Sequence, residues 1–255
     1  MPLDSTRRFS SRVENYIKYR PSYPAAILDL FRQKCGLTAN STIADIGSGT
    51  GILTEVLLKG GNPVFGVEPN PDMREAAERL LKSYPCFTSI SATAEVTTLK
   101  SNSIDLITVG QAFHWFDHDK CRTEFYRVLK PDGWIALIWN DRQVNSHPFL
   151  AAYEDLLKTY GNDYESVGHK HVESDDVAVF FKPGHFEQAV FPSAQHFDFA
   201  GLQGRLLSSS YAPEAGQPKH LPMLAALRAI FDQYQTAGKV TFEYDTSVYL
   251  GQLAS

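Results

Sequence analysis

Asp45-Ile46-Gly47-Ser48-Gly49-Thr50-Gly51 decides the fold, because this stretch places an acidic residue directly before a glycine-rich turn. The preceding Ser41-Thr42-Ile43-Ala44 favours a short strand, and residues 52–58 carry apolar side chains at helical spacing. The order of strand, glycine turn and helix predicts the opening of a βαβ unit. Glycine permits positive φ angles and lets a ligand approach the backbone without meeting a Cβ atom. The stretch therefore predicts a ligand-binding turn.

The charge of Asp45 separates two kinds of ligand that use such turns, dinucleotides and S-adenosylmethionine. A dinucleotide places its pyrophosphate at the helix N-terminus. A carboxylate about 4 Å away would repel that anion by on the order of 4 kcal/mol at an effective dielectric near 20. S-adenosylmethionine instead carries an ammonium and a sulfonium. Ile52 also disfavours a dinucleotide, because the dinucleotide fingerprint requires a small residue at that position. An unoccupied glycine turn in another α/β domain stays open as the alternative.

Strands and helices alternate through the rest of the first 140 residues, which predicts a doubly wound, mostly parallel sheet. The predicted strands cover 63–68, 86–90, 104–109 and 134–139, the last preceded by a turn at 130–133. The predicted helices cover 4–18, 25–34, 71–82, capped by Asn70, and 118–129. Later helices are predicted at 147–160, 174–181 and 221–234, and later strands at 186–199 and 239–249. The two late strands would close the sheet as an antiparallel edge pair, with Pro192 at an edge position.

Composition restricts the function classes. The 255 residues carry a net charge of −5, which predicts no nucleic-acid footprint. There is no apolar run of membrane-spanning length and no secretory signal at the N-terminus. The three widely spaced cysteines predict free thiols in a reducing cytosol and no structural zinc. His169 and His171 are expected to be solvated, so no metal site is predicted.

Three further segments at strand ends could bind a nucleoside cofactor. Glu68 could accept both ribose hydroxyls, or could be a strand-end acid facing water. The Ala94-Glu95 pair could meet an adenine ring and its amino group, with a solvated Glu95 as the alternative. The aromatic loop of residues 110–116 would lie near the reactive end of the cofactor. Its rings are expected to line a pocket or pack under a lid.

These motifs, together with residues 128–133, resemble the class I S-adenosylmethionine-dependent methyltransferases, specifically the methyltransferase type 11 group. Residues 16–24 are similar to the first helix of trans-aconitate methyltransferase-like enzymes. The resemblance is strong over residues 10–140 and weak beyond. It implies a Rossmann-like, seven-stranded, mostly parallel α/β sheet with an antiparallel edge strand and a helical lid. It also implies one domain, with residues 1–40 as lid, 41–140 as cofactor-binding core, and 141–255 as helical insertions and the last two strands.

The resemblance also implies the cofactor-binding residues. Gln111 would lie near the methyl-donating sulfur, and Tyr16, Tyr19 and Arg20 would form the lid over S-adenosylmethionine. The full set is Tyr16, Tyr19, Arg20, Asp45, Gly47, Ser48, Gly49, Thr50, Gly51, Glu68, Pro69, Asn70, Met73, Ala94, Glu95, Gln111, Ala112 and Phe113.

The predicted activity is methyl transfer to an oxygen or nitrogen of a small molecule, with a carboxylic acid as one acceptor class. His114 is the side chain in the aromatic loop whose ordinary pKa suits a catalytic base. Its alternative role is a pocket wall stacked with Trp115. Arg20 and Arg142 could bind an acidic substrate or could be surface arginines.

Two other functions stay open. One is a cofactor-binding or scaffold protein without catalysis. The other is a nicotinamide-dependent oxidoreductase, which Asp45 and Ile52 disfavour. The predicted partners are a small-molecule substrate, without nucleic acid or membrane, and the sequence predicts no particular oligomeric state.

Overall fold

A computed structural model describes residues 13–164 and 174–253. Within these ranges the chain forms a seven-stranded sheet in the order β3-β2-β1-β4-β5-β7-β6. The strands are Ile43–Ile46 (β1), Val64–Val67 (β2), Phe87–Ile90 (β3), Ile104–Gly110 (β4), Leu129–Arg142 (β5), Phe186–Phe197 (β6) and Val240–Gly251 (β7). Strands β1 to β5 are parallel, whereas β7 runs antiparallel to both β5 and β6. The predicted mostly parallel sheet with an antiparallel pair at one edge is confirmed. Pro192 lies in the edge strand β6, where its missing N–H breaks no ladder.

Most helices follow the predicted pattern, but the helix Phe199–Leu207 was not predicted, and the strand predicted at 186–199 ends at Phe197. They are Val13–Tyr19 (α1), Ala26–Cys35 (α2), Ile52–Lys59 (α3), Pro71–Leu80 (α4), His118–Val128 (α5), Pro148–Tyr160 (α6), Ser174–Phe181 (α7), Phe199–Leu207 (α8) and His220–Tyr234 (α9). Asn70 caps α4 as predicted, because its side-chain oxygen accepts from the Met73 N–H at 3.1 Å. The helix predicted from residue 4 and the histidine pair at 169 and 171 fall partly or wholly outside the described residues.

Strand β5 begins at Leu129, so the prediction of a turn followed by a strand from Trp134 is wrong in its boundary. The pairing with β4 jumps from Ile104–Leu129 to Leu106–Trp134, so the four intervening residues bulge out of the ladder. Lys130 fastens this bulge, because its Nζ donates to both carboxylate oxygens of Asp105 at 2.8 and 2.7 Å.

Two hydrophobic clusters cover the two faces of the sheet. Along β5, Ile135, Leu137 and Trp139 belong to one cluster, and Ala136 and Ile138 belong to the other. This alternation is expected for a strand buried on both faces. A third cluster joins α6, α8 and α9 to the first residues of β7. These helices thereby form a separate layer beside the end of β5.

None of the helices in the described ranges has both the length and the apolar character needed to cross a bilayer. The three cysteines, Cys35, Cys86 and Cys121, are free thiols, as predicted.

Candidate active site

A cavity of about 670 Å³ opens where β1 and β4 end. Parts of the chain that are distant in sequence line it: the N-terminal segment, the glycine turn, the loop after β4, the end of β5 and the helical layer. The lining residues that the sequence also predicted are Tyr16, Arg20, Asp45, Gly47, Ser48, Gly49, Thr50, Gln111, His114 and Arg142. The carboxyl ends of the parallel strands are where open α/β sheets bind ligands.

The glycine turn is shaped by two glycines with different constraints. Gly47 and Gly49 have φ angles of +69° and +56°. A Cβ atom on Gly47 would lie 2.6 Å from the Cβ of Ala112 and 3.1 Å from the ring of Phe116. A Cβ atom on Gly49 would meet nothing within 4 Å. The turn is therefore packed tightly against the loop after β4 at Gly47 and leaves an open cradle at Gly49.

Asp45 presents a buried carboxylate to the cavity. The side chain is 1% exposed and accepts hydrogen bonds from the hydroxyls of Thr54 at 2.6 Å and Thr108 at 3.0 Å. Burial raises its pKa from 3.8 to about 6, against the opposing effect of the two hydroxyls. Across residues 13–164 and 174–253, no lysine or arginine forms an ion pair with it. Burying an ionised carboxylate without a positively charged partner costs free energy, so Asp45 favours a cationic ligand.

Glu68 ties the glycine turn to the end of β2. Its two carboxylate oxygens accept the N–H of Gly49 at 2.9 Å and the N–H of Asn70 at 2.8 Å. Burial raises its pKa, and both N–H donors act in the opposite direction. Glu68 is 9% exposed and is not among the residues that line the cavity. Its role toward a ribose stays a prediction, while its role in shaping the turn is visible directly.

Several predicted cofactor residues are not part of the cavity wall. Tyr19 packs on α8, where a Cβ atom on Gly204 would fall 2.0–2.5 Å from its ring. Phe113 is fully buried and stacks on His118 at 4.1 Å. Glu95 accepts the N–H of Asp117 at 3.1 Å. The others outside the wall are Gly51, Pro69, Asn70, Met73, Ala94 and Ala112. Their contact with a cofactor stays a prediction.

His114 lines the cavity from a single 3₁₀ turn, with its ring 4.7 Å from that of Trp115. Its Nδ1 is shielded from solvent and has no hydrogen-bond partner within the described ranges. Burial, and secondarily the nearby His118, lowers its pKa from 6.5 to about 4. The imidazole is therefore neutral at pH 7, and both predicted roles, base and pocket wall, stay open.

The neighbouring Gln111 holds the loop after β4 in place. It has a φ of +59°, and its side-chain nitrogen donates to the carbonyl of Asn140 at 3.2 Å. Because this backbone conformation is uncommon for a residue other than glycine, the tie to β5 helps to fix the loop at the cavity edge.

Three arginines also line the cavity. Arg142 is paired with Glu154 at 2.5 Å, so its charge is already compensated. Arg20 donates to the Ser208 carbonyl at 3.0 Å, and its Nε is shielded without a partner within the described ranges. Arg205, which sequence reasoning missed, is 6% exposed and donates to the hydroxyl of Tyr244 at 3.3 Å. In the sequence, Arg205 is the single charged residue of the mostly apolar stretch 199–207.

Comparisons with known proteins agree with this architecture. Residues 44–137 match the family described as a methyltransferase domain. An uncharacterized methyltransferase from Schizosaccharomyces pombe is 30% identical over 204 residues, which cover 80% of this chain and 78% of that protein. An uncharacterized methyltransferase from Mycobacterium tuberculosis is 37% identical over 164 residues, which cover 64% of this chain and 63% of that protein.

Solved structures show the same fold. A structure from Anaeromyxobacter dehalogenans, described as a type II methyltransferase, has a TM-score of 0.70 at 24% identity and covers 93% of this chain and 100% of its own. Phosphoethanolamine N-methyltransferase 2 from Haemonchus contortus, in complex with S-adenosylmethionine, has a TM-score of 0.58 at 15% identity. That match covers 99% of this chain and 61% of the nematode chain. At these identities the likeness concerns the fold alone.

Proposed function

Since this chain belongs to the S-adenosylmethionine-dependent methyltransferases, we propose that it methylates an oxygen or nitrogen of a small molecule, with a carboxylic acid as the favoured acceptor class. The observation that carries the proposal is the buried carboxylate of Asp45, which lines the cavity beside an open glycine cradle and lacks a cationic partner within the described ranges. When bound, S-adenosylmethionine supplies a methyl group on a positively charged sulfur.

The residues around the glycine turn fit such a group. Asp45 would attract its positive charge, and the absent side chain of Gly49 leaves room for close approach to the backbone. Glu68 would accept the ribose hydroxyls with the lone pairs that Gly49 and Asn70 do not use. The Ala94-Glu95 pair would meet the adenine. A pyrophosphate fits less well, because Asp45 would repel it.

The chain's contribution to the reaction is orientation and exclusion of water. Holding the acceptor atom in line with the methyl group can be worth up to roughly 7–11 kcal/mol. Residues of the N-terminal segment and of the helical layer line the cavity, and both segments would keep the two reactants together. The remaining cofactor residues named in the sequence analysis are proposed to complete this enclosure.

The state of His114 favours an acceptor that needs no proton removed. A general base works best with a pKa near the working pH, and burial lowers the pKa of His114 to about 4. A carboxylate is already deprotonated at pH 7, whereas an alcohol or an ammonium must lose a proton. Uncompensated arginines in the same cavity also favour an anionic acceptor.

We propose one domain over residues 1–255, with the lid, core and insertion boundaries given by the sequence. The net charge of −5 supports the absence of nucleic acid among its partners, and the free thiols support a cytoplasmic location. The second candidate function is binding of the cofactor in the same cavity without catalysis.

Turnover separates these two functions. The protein should be incubated with S-adenosylmethionine and matched carboxylic acids, alcohols and amines, with S-adenosylhomocysteine and methylated product measured by mass spectrometry. We expect turnover with carboxylic acids above the other classes. Turnover confined to alcohols or amines would contradict the acceptor class, and cofactor binding without any product would favour the silent protein.

A further inference from the structure

Two arginines of the cavity wall, Arg20 and Arg205, lie near each other without a carboxylate partner among the described residues. Neither forms an ion pair with any of the residues 13–164 and 174–253. Arg20 donates to the backbone carbonyl of Ser208, and Arg205 donates to the hydroxyls of Ser209 and Tyr244. All of these acceptors are neutral.

Glu154, whose carboxylate also lines the cavity, does not supply the missing charge. Glu154 is paired with Arg142 and also accepts the hydroxyl of Tyr164 at 2.7 Å. Burial lowers the pKa of Arg20, and the charge of Arg205 lowers it further. Two like charges taken out of water are unfavourable unless an anion joins them.

The two arginines come from two segments that pack against each other. Arg20 follows α1, a helix with no fully buried residue, and Arg205 belongs to α8. The contacts between the segments include the ring of Tyr19 against Gly204 and the Arg20–Ser208 hydrogen bond. Because no residue of α1 is fully buried, an anion bound by both arginines would add to the stability of this contact.

We infer that Arg20 and Arg205 form a subsite for an oxyanion of the methyl acceptor, a carboxylate or a phosphate, and that this anion fastens the N-terminal segment to α8. The inference rests on the proposed function, since it concerns the acceptor half of the same cavity. A guanidinium binds an oxyanion through paired N–H donors. The Nε of Arg20 is unused within the described ranges, so a donor is left for such a ligand.

Calorimetry with the full-length protein saturated with S-adenosylhomocysteine tests the subsite. The probes are glutarate, butyl phosphate and the neutral pentanediamide. We expect at least one anionic probe to bind about tenfold or more tightly than the diamide, because hydrogen bonds to charged groups are stronger. Comparison of the two anions identifies the preferred oxyanion. Equal binding of anions and diamide to the unmodified protein, or no binding of either anion, would overturn the inference without any variant.

Variants then assign the effect to the two side chains. Arg205→Met and Arg20→Met should each lose about tenfold or more in anion affinity. Arg32→Met, which removes an exposed arginine paired with Asp29, is the matched control and should keep it. Binding of S-adenosylhomocysteine by Arg205→Met reports that this variant is folded. Retained anion affinity in both cavity variants would overturn the inference, whereas failure of the unmodified protein to bind S-adenosylhomocysteine would count against the proposed function instead.

Hydrogen exchange tests the link to the N-terminal segment. The preferred anion should slow amide exchange in residues 13–20 of the unmodified protein and leave it unchanged in Arg205→Met. Equal protection in both proteins, or none in either, would contradict the bridge between Arg20 and α8.

Discussion

Replacing Asp45 by asparagine should stabilise the ligand-free protein and weaken its affinity for S-adenosylmethionine. Burial raises the pKa of this carboxyl from 3.8 to about 6, so the folded protein at neutral pH holds an ionised group in an unfavourable place. That difference in pKa corresponds to about 3 kcal/mol at neutral pH. It is an upper bound, since the hydroxyls of Thr54 and Thr108 already donate to the carboxylate and must reorient around an amide.

The pH dependence gives this prediction a distinctive sign. Because the folded pKa is raised, the stabilising contribution of protonated Asp45 is full below pH 3.8 and is lost as the pH rises through about 6. Chemical unfolding of both proteins should therefore show Asp45→Asn more stable by up to about 3 kcal/mol at pH 7.5 and by only about 1 kcal/mol at pH 4.5. At pH 7.5, calorimetry should show the variant binding S-adenosylmethionine about tenfold or more weakly.

Asp232→Asn is the control, because Asp232 is exposed and pairs with Arg228 on the surface of α9. Its free energy of unfolding should stay within about 0.5 kcal/mol of the unmodified protein at both pH values. An Asp45→Asn variant that is less stable at pH 7.5, or equally stabilised at both pH values, would refute the burial argument. Unchanged affinity for S-adenosylmethionine would remove Asp45 from the binding site.

Four more substitutions probe the glycine turn, Glu68 and the loop after β4. Gly47→Ala should lower the free energy of unfolding by about 2–4 kcal/mol. The added methyl group would clash with Ala112, and the positive φ of this residue disfavours any side chain. Gly49→Ala has open space and should cost about 1–2 kcal/mol, so equal losses in chemical unfolding would contradict the packing contrast. Glu68→Gln should weaken S-adenosylmethionine binding about tenfold in calorimetry, and unchanged affinity would place the ribose site elsewhere. His114→Ala should slow turnover of a carboxylic acid less than about tenfold, whereas loss of a true base would cost about 10²–10⁴-fold.

Local features of the fold could be predicted because they depend on neighbouring residues. The glycine turn needs positive φ angles at Gly47 and Gly49, which the sequence supplies directly. Asn70 before Pro71 marks a helix start by its capping oxygen and its fixed φ. Alternating apolar runs indicate strands buried on both faces, as β5 illustrates.

Features that depend on distant residues could not be read from the sequence. The start of β5 depends on the pairing of Leu129 with Ile104 in β4, and no residue near Leu129 indicates that pairing. The acceptor side of the cavity brings Arg20 beside Arg205, although they lie far apart in the chain. The sequence allowed Arg142 to bind an acidic substrate. In the structure its charge is compensated by Glu154 of the following helix, α6.

The most direct test of S-adenosylmethionine binding beside Asp45 is a calorimetric titration of the ligand-free protein with S-adenosylmethionine and, separately, with NADH. We expect one S-adenosylmethionine to bind per chain at micromolar concentration, and no binding of NADH. Binding of NADH, or no heat from S-adenosylmethionine at high micromolar concentration, would contradict the assignment.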